Sequence, residues 1–80
     1  MDMIDAVKMR LMKLCNERNI SINKLATLSA VAPSSIKNIF YGKSVNPKLQ
    51  TIKMLCDGLD ITLAEFFDCE EFNELEQTIK

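Results

Sequence analysis

Apolar residues recur along most of this chain at the three-and-four spacing of amphipathic helices, and no stretch alternates as a half-buried strand would. Ile4, Val7, Leu11 and Leu14 form one such stripe, which predicts a first helix over residues 3–18 with Lys8, Lys13 and Glu17 off it. Asn19, a residue that enters the left-handed conformation readily, is its expected stop. Ser21 suits the N-cap of a second helix over about 22–28, with Leu25, Ala26 and Leu28 as core contacts. The small-residue corner Ser29-Ala30-Val31-Ala32 then leads to a third helix over 33–41. Pro33 fits a first helical turn, where its missing N–H is tolerated. Gly42 closes the helix because positive φ is easy for glycine. Ile36 and Ile39 point to the core with Val31, and Ser34, Ser35, Lys37 and Asn38 stay on the open side.

Residues 43–47 read as a loop with Asn46-Pro47 as its turn signal. A fourth helix over about 48–59 buries Leu49, Ile52, Leu55, Cys56 and Leu59. Thr62-Leu63-Ala64-Glu65 has the form of a capping box, so a fifth helix starts there and carries Phe66 and Phe67 inward. Asp68-Cys69-Glu70-Glu71 repeats that form and predicts a sixth helix over about 69–78, aligning Phe72, Leu75 and Ile79. The expected fold is all-α: a five-helix domain over residues 1–67, followed within 68–80 by a short, acidic, amphipathic helix.

Composition narrows the chemistry. Eighty residues make one domain with a single modest core. The net charge of −1 hides a division along the chain. Residues 1–54 hold nine Lys/Arg against three acids (Asp2, Asp5, Glu17), and residues 55–80 hold eight acids against Lys80. A basic body with an acidic end is compatible with phosphate binding on one face. There is no histidine, and Cys15, Cys56 and Cys69 form no C-x-x-C pair, so no metal site is expected. Cys15 and Cys56 fall on apolar stripes, where a reduced cysteine acts as a small hydrophobe. Cys69 lies near a helix start, where a thiol pKa can fall, with no other chemistry beside it. The methionines carry no functional signal, and those on buried stripes fill core gaps. Neither a glycine-rich phosphate loop nor a nucleophile beside a base is present, so neither an enzyme nor a cofactor is expected. No small-molecule ligand is expected either, since the length leaves no room for a separate ligand domain. No apolar run approaches the roughly 20 residues that span a bilayer. Asp2 and Asp5 stand where a signal peptide would be positive, so no membrane association is expected and the cytoplasm is the expected location.

The pattern Ser21-x-x-x-Leu25-Ala26, Val31, Ile36, Gly42, Pro47, Leu49, Thr51-Ile52, Leu55 and Leu59 resembles the lambda-repressor/Cro-like helix-turn-helix family, also called the xenobiotic-response-element family. The run Leu59-Asp60-Ile61-Thr62-Leu63-x-Glu65-Phe66-Phe67 is similar to that family's closing segment. The resemblance covers about Leu11 to Phe67 and implies DNA binding, with helix three in the major groove. It implies base contacts from Pro33, Ser34, Ser35, Lys37 and Asn38. Asn38 is suited to a bidentate pair with adenine, Pro33 to a thymine methyl, and Lys37 to guanine or phosphate. Lys24, Tyr41, Lys43 and Ser44 would hold the phosphate backbone. The alternative for each residue is a solvated helix face, with Ser34 and Ser35 in local hydrogen bonds.

Several positions depart from the family pattern. Ala30 stands where glycine is favoured in the corner, and Ala32 where a Ser or Thr cap is usual. Ile22 stands where a phosphate-contacting glutamine is common. Cys15 and Phe40 occupy the places of an arginine–glutamate pair, both ends lost together. The resemblance further implies a homodimer on double-stranded DNA with a palindromic operator. The tail's Phe72, Leu75 and Ile79 are candidates for the dimer contact, or for folding back on Ile4 and Val7. The acids Glu70, Glu71, Glu74 and Glu76 would keep that tail away from DNA. The expected function is a bacterial- or phage-type transcription regulator, most simply a repressor. Two other readings stay open: a DNA-binding antitoxin whose acidic tail masks a toxin, and an interaction module that has lost DNA binding.

Overall fold

Six helices follow one another in a computed structural model that describes residues 1–42 and 46–79: α1 Met3–Arg18, α2 Ile22–Ser29, α3 Pro33–Phe40, α4 Leu49–Gly58, α5 Leu63–Phe67 and α6 Glu70–Asn73. Lys43 and Ser44, two of the expected phosphate contacts, lie outside the described residues, as does Lys80. The boundaries follow local chemistry. The Asp2 carboxylate caps α1 by accepting from the Asp5 N–H at 3.1 Å, and Asn19 ends the helix in the left-handed region at φ 54. The Ser21 hydroxyl caps α2 by accepting from the Lys24 N–H at 3.1 Å. Ala32 precedes α3 with no side-chain cap, and the substitution of a hydroxyl by a methyl there costs about 1 kcal/mol. Thr62 and Glu65 form the full capping box of α5, each side chain bonded to the other residue's N–H at 3.0 Å. The Thr62 N–H, and after it the Thr62 hydroxyl, hold the Glu65 carboxyl below the usual carboxylate range.

The core joins α1 (Val7, Leu11, Leu14, Cys15) to α2 (Leu25, Ala26), Val31, α3 (Ile36, Ile39), α4 (Ile52, Leu55, Cys56), Leu59 and Phe66. Burial raises the thiol pKa of both Cys15 and Cys56, which keeps them protonated and apolar. Two expected core residues lie outside it. Leu28 is 47% exposed, because the face of α2 that meets α4 is centred on Leu25, Ala26 and Ser29. Leu49 is 67% exposed. It shares the side of Ile52 but opens α4, where it borders a shallow groove with Met3 and Phe67 instead of being covered.

α2 and α4 pack in close contact. A Cβ on Gly58 would stand 2.8 Å from the N, Cα and Cβ atoms of Ser29. Ser29 is itself buried and sends its hydroxyl back to the Leu25 carbonyl at 2.6 Å. Small side chains on both helices therefore set the distance between them, and this packing fixes the platform on which α3 sits.

The C-terminal segment differs from expectation. Its helix is one turn, Glu70–Asn73, rather than a run over 69–78. Asp68 does not cap it; Cys69 holds the N-cap position without a side-chain bond. Acids suit the start of a helix and oppose its end, so Glu74 and Glu76 favour stopping, and Glu70 repels Glu74 one turn on. Phe72, Leu75 and Ile79 consequently do not form one helical face. Phe72 turns inward against Phe66 and Phe67, with ring centroids 5.8 and 4.8 Å away. Leu75 is half-buried and Ile79 is 85% exposed. The turn packs on α1, where Lys13 pairs with the buried Glu71. The segment thus folds back on helix one, with its ion pair at Lys13.

Candidate nucleic-acid interface

The geometry of α3 follows from its spacing. Ile36 and Ile39 are buried and Phe40 half-buried, and at about 100° per residue the opposite side belongs to Ser34, Lys37, Asn38 and Tyr41. Ser34, Ser35, Lys37 and Asn38 are all exposed, and Tyr41 is 70% exposed. Pro33, at the first position of the helix, is exposed on its flank. None of the side-chain hydrogen bonds among the described residues engages Ser34, Ser35, Lys37 or Asn38. Their donors and acceptors are open to an outside partner, and the local hydrogen bonding considered for Ser34 and Ser35 is not made to any described residue.

Ser35 and Asn38 also line a groove whose far wall is Asn46, Pro47, Lys48 and Thr51 at the entrance to α4. Spacing along the chain could not reveal this second wall, because it depends on how α4 sits relative to α3. Lys24, in the first turn of α2, is exposed. Ile22 beside it is half-buried and packs on the core, with Cys15 and Phe40 lining the same apolar hollow. The position where the resemblance implies a phosphate-contacting glutamine is thus partly buried here.

Electrostatics separate this side of the chain from the rest. Between Glu17 and Asp57 there is no acidic residue, and there are six basic ones: Arg18, Lys24, Lys37, Lys43, Lys48 and Lys53. That stretch includes α2, α3 and most of α4, and the charge division seen in the whole chain is sharpest here. The acids concentrate from Asp57 onward, on the end of α4, on α5 and on the tail. Among the described residues no group of His, Cys, Asp and Glu could hold a metal ion, and no helix is long and apolar enough to cross a membrane.

Two helices joined by a tight corner, the second presenting an exposed polar face within an acid-free stretch, define a helix-turn-helix DNA-binding protein. Residues 10–71 match the Cro/C1-type HTH DNA-binding domain, and the chain belongs to that family. It is 37% identical over 62 residues to the HTH-type transcriptional regulator SlrR of Bacillus subtilis (strain 168), covering 76% of this chain and 41% of that protein. It is 42% identical over 52 residues to the HTH-type transcriptional repressor RghR of the same organism, covering 65% of this chain and 38% of that one. The chain therefore spans about two fifths of the length of these relatives. A crystal structure of the prophage Lp1 protein 11 superposes with a TM-score of 0.80 at 34% identity, over 94% of this chain and 100% of that one.

Proposed function

We propose that the chain binds a specific, palindromic operator as a dimer, with α3 in the major groove, and that it acts as a transcriptional repressor. The observation that carries this reading is the unengaged polar face of α3, set in a stretch with six basic residues and no acid. Asn38 reads a base, with adenine its best bidentate partner, and Ser34 and Lys37 read beside it. Pro33 offers apolar surface to a thymine methyl, and Ser35 faces the second wall at Asn46 and Thr51. Lys24, Tyr41, Lys43 and Ser44 hold phosphates and fix the register. The relatives named as a transcriptional regulator and a transcriptional repressor support the regulatory role.

Binding-site selection with the purified chain tests the proposal, followed by two variants on the selected duplex. Asn38→Ala should relax preference at one base position at a cost of about 1–3 kcal/mol, leaving random-DNA binding unchanged. Lys24→Ala should weaken all sequences alike and lower the salt slope by about one. Selection that recovers no preferred sequence, or equal losses on specific and random DNA for both variants, would overturn the assignment.

A further inference from the structure

The apolar hollow beside Ile22 lies between the second half of α1, the start of α2 and the end of α3, with a volume of about 300 Å³. A protein cavity of roughly 150 Å³ already holds a benzene ring. Its walls are Cys15, Ile20, Ile22 and Phe40, with Met12 and Tyr41 at the mouth, 48% and 70% exposed. Cys15 is buried, and Ile20, Ile22 and Phe40 are half-buried against the core, so the walls are packed side chains. No lining residue is charged. The one amide side chain is that of Asn16, which makes no hydrogen bond among the described residues.

We infer that this hollow binds a neutral aromatic molecule of one or two rings that carries one hydrogen-bonding group. The lining selects that chemistry. A charged ligand would lose hydration here without meeting a counter-charge. The sulfurs of Met12 and Cys15 and the rings of Phe40 and Tyr41 favour a flat aromatic ring over an aliphatic chain of equal area. The Asn16 amide both donates and accepts, so it can fix the ligand's polar group. A peptide segment suits the hollow less, because its backbone groups would meet a single amide to satisfy them. A site of this size needs no separate ligand domain, contrary to the expectation from chain length. Tyr41 links the hollow to DNA, and this step rests on the DNA-reading proposal. A ligand that holds the Tyr41 ring over the mouth withdraws it from the phosphate, so occupancy lowers DNA affinity and, by linkage, DNA lowers ligand affinity.

Indole, two fused rings with one N–H, is the probe, and methyl NMR of the full chain is the readout. Met12, Ile20 and Ile22 should shift saturably with a dissociation constant on the order of 1 mM or tighter, while Ile52 and Ile61 stay in place. Benzoate, a charged ring, should bind at least about tenfold more weakly. Cys15→Met, which fills the floor, should weaken indole binding by about tenfold or more with unchanged helical circular dichroism. Asn16→Ala, at an exposed position, should weaken it by about threefold to tenfold. No saturable shift with indole, equal binding of benzoate, or indifference to Asn16→Ala would overturn the inference. Shifts of Met12 and Ile22 that follow protein concentration without indole would overturn it too, by giving the hollow to a second copy. Saturating indole should lower affinity for the selected duplex by about threefold or more. Indole that binds as described and leaves duplex affinity unchanged would keep the site and remove the phosphate contact of Tyr41 instead.

Discussion

Ala30 holds a left-handed backbone at φ 57, where a Cβ costs about 1–2 kcal/mol that glycine avoids. Ala30→Gly should therefore stabilise the fold by about 1 kcal/mol after the extra unfolded-state entropy of glycine is deducted, raising Tm by about 4–8 °C. Thermal unfolding checks this, and an unchanged or lower Tm would mean that the corner already accommodates alanine without strain. Gly58 is the opposite case. Its hydrogen faces Ser29, so Gly58→Ala forces α2 and α4 apart and should cost about 1–3 kcal/mol by urea titration. Ala30 was legible in the sequence because it sits where a corner must turn. Gly58 was not, because its partner is remote in the chain and spacing says nothing about distance between helices. Leu28 and Leu49 show a related limit: periodicity tells which side of a helix is apolar, not whether another element covers it.

At the scale of elements, the short α5 depends on α1. Arg10 donates to the carbonyls of Glu65 and Phe66 at 2.8 and 2.9 Å, satisfying helix-end acceptors that a five-residue helix cannot pair itself. Arg10→Met should cost about 1–3 kcal/mol, read by urea titration, and should loosen α5 before the rest in amide exchange. The sequence marked the start of α5 through its capping box but hid this end, since the donor lies far earlier in the chain. The tail was misread for a similar reason. Phe72, Leu75 and Ile79 have helical spacing, yet the aromatic pair Phe66–Phe67 captures Phe72 and the acids end the helix after one turn. Lys13 donates to Glu71, which lowers the Glu71 pKa below the usual carboxylate range and raises that of Lys13 above the usual lysine range. The Glu71 contribution is therefore present above the ordinary carboxylate pKa and lost as pH falls through its lowered folded value. The Lys13 contribution is complete below the ordinary lysine pKa and lost as pH rises through its raised folded value. Docking of α6 should be constant across neutral pH and weaken at both extremes. The Phe72 ring shifts in NMR report it, and Lys13→Met should show the loosened values already at neutral pH.

Across the whole molecule, the five-helix domain was readable because its apolar stripes, caps and corner agree with one another at each level. The exposed face of α3 was readable too: with Ile36 and Ile39 inside, Ser34, Lys37 and Asn38 must point out. What spacing could not supply is the second wall at Asn46, Lys48 and Thr51, or the partial burial of Ile22, both of which depend on how helices pack. The charge division gives the chain its polarity, with a basic stretch that includes α2, α3 and most of α4 and an acidic end after it. The central claim is that α3 is the surface that meets DNA. Amide NMR of the labelled chain, titrated with a duplex recovered by selection, tests it most directly. Ser34 to Asn38 and the first turn of α2 at Ile22 to Lys24 should shift most, with α6 nearly unmoved. Shifts concentrated on α6 or the end of α4, with α3 silent, would contradict the account.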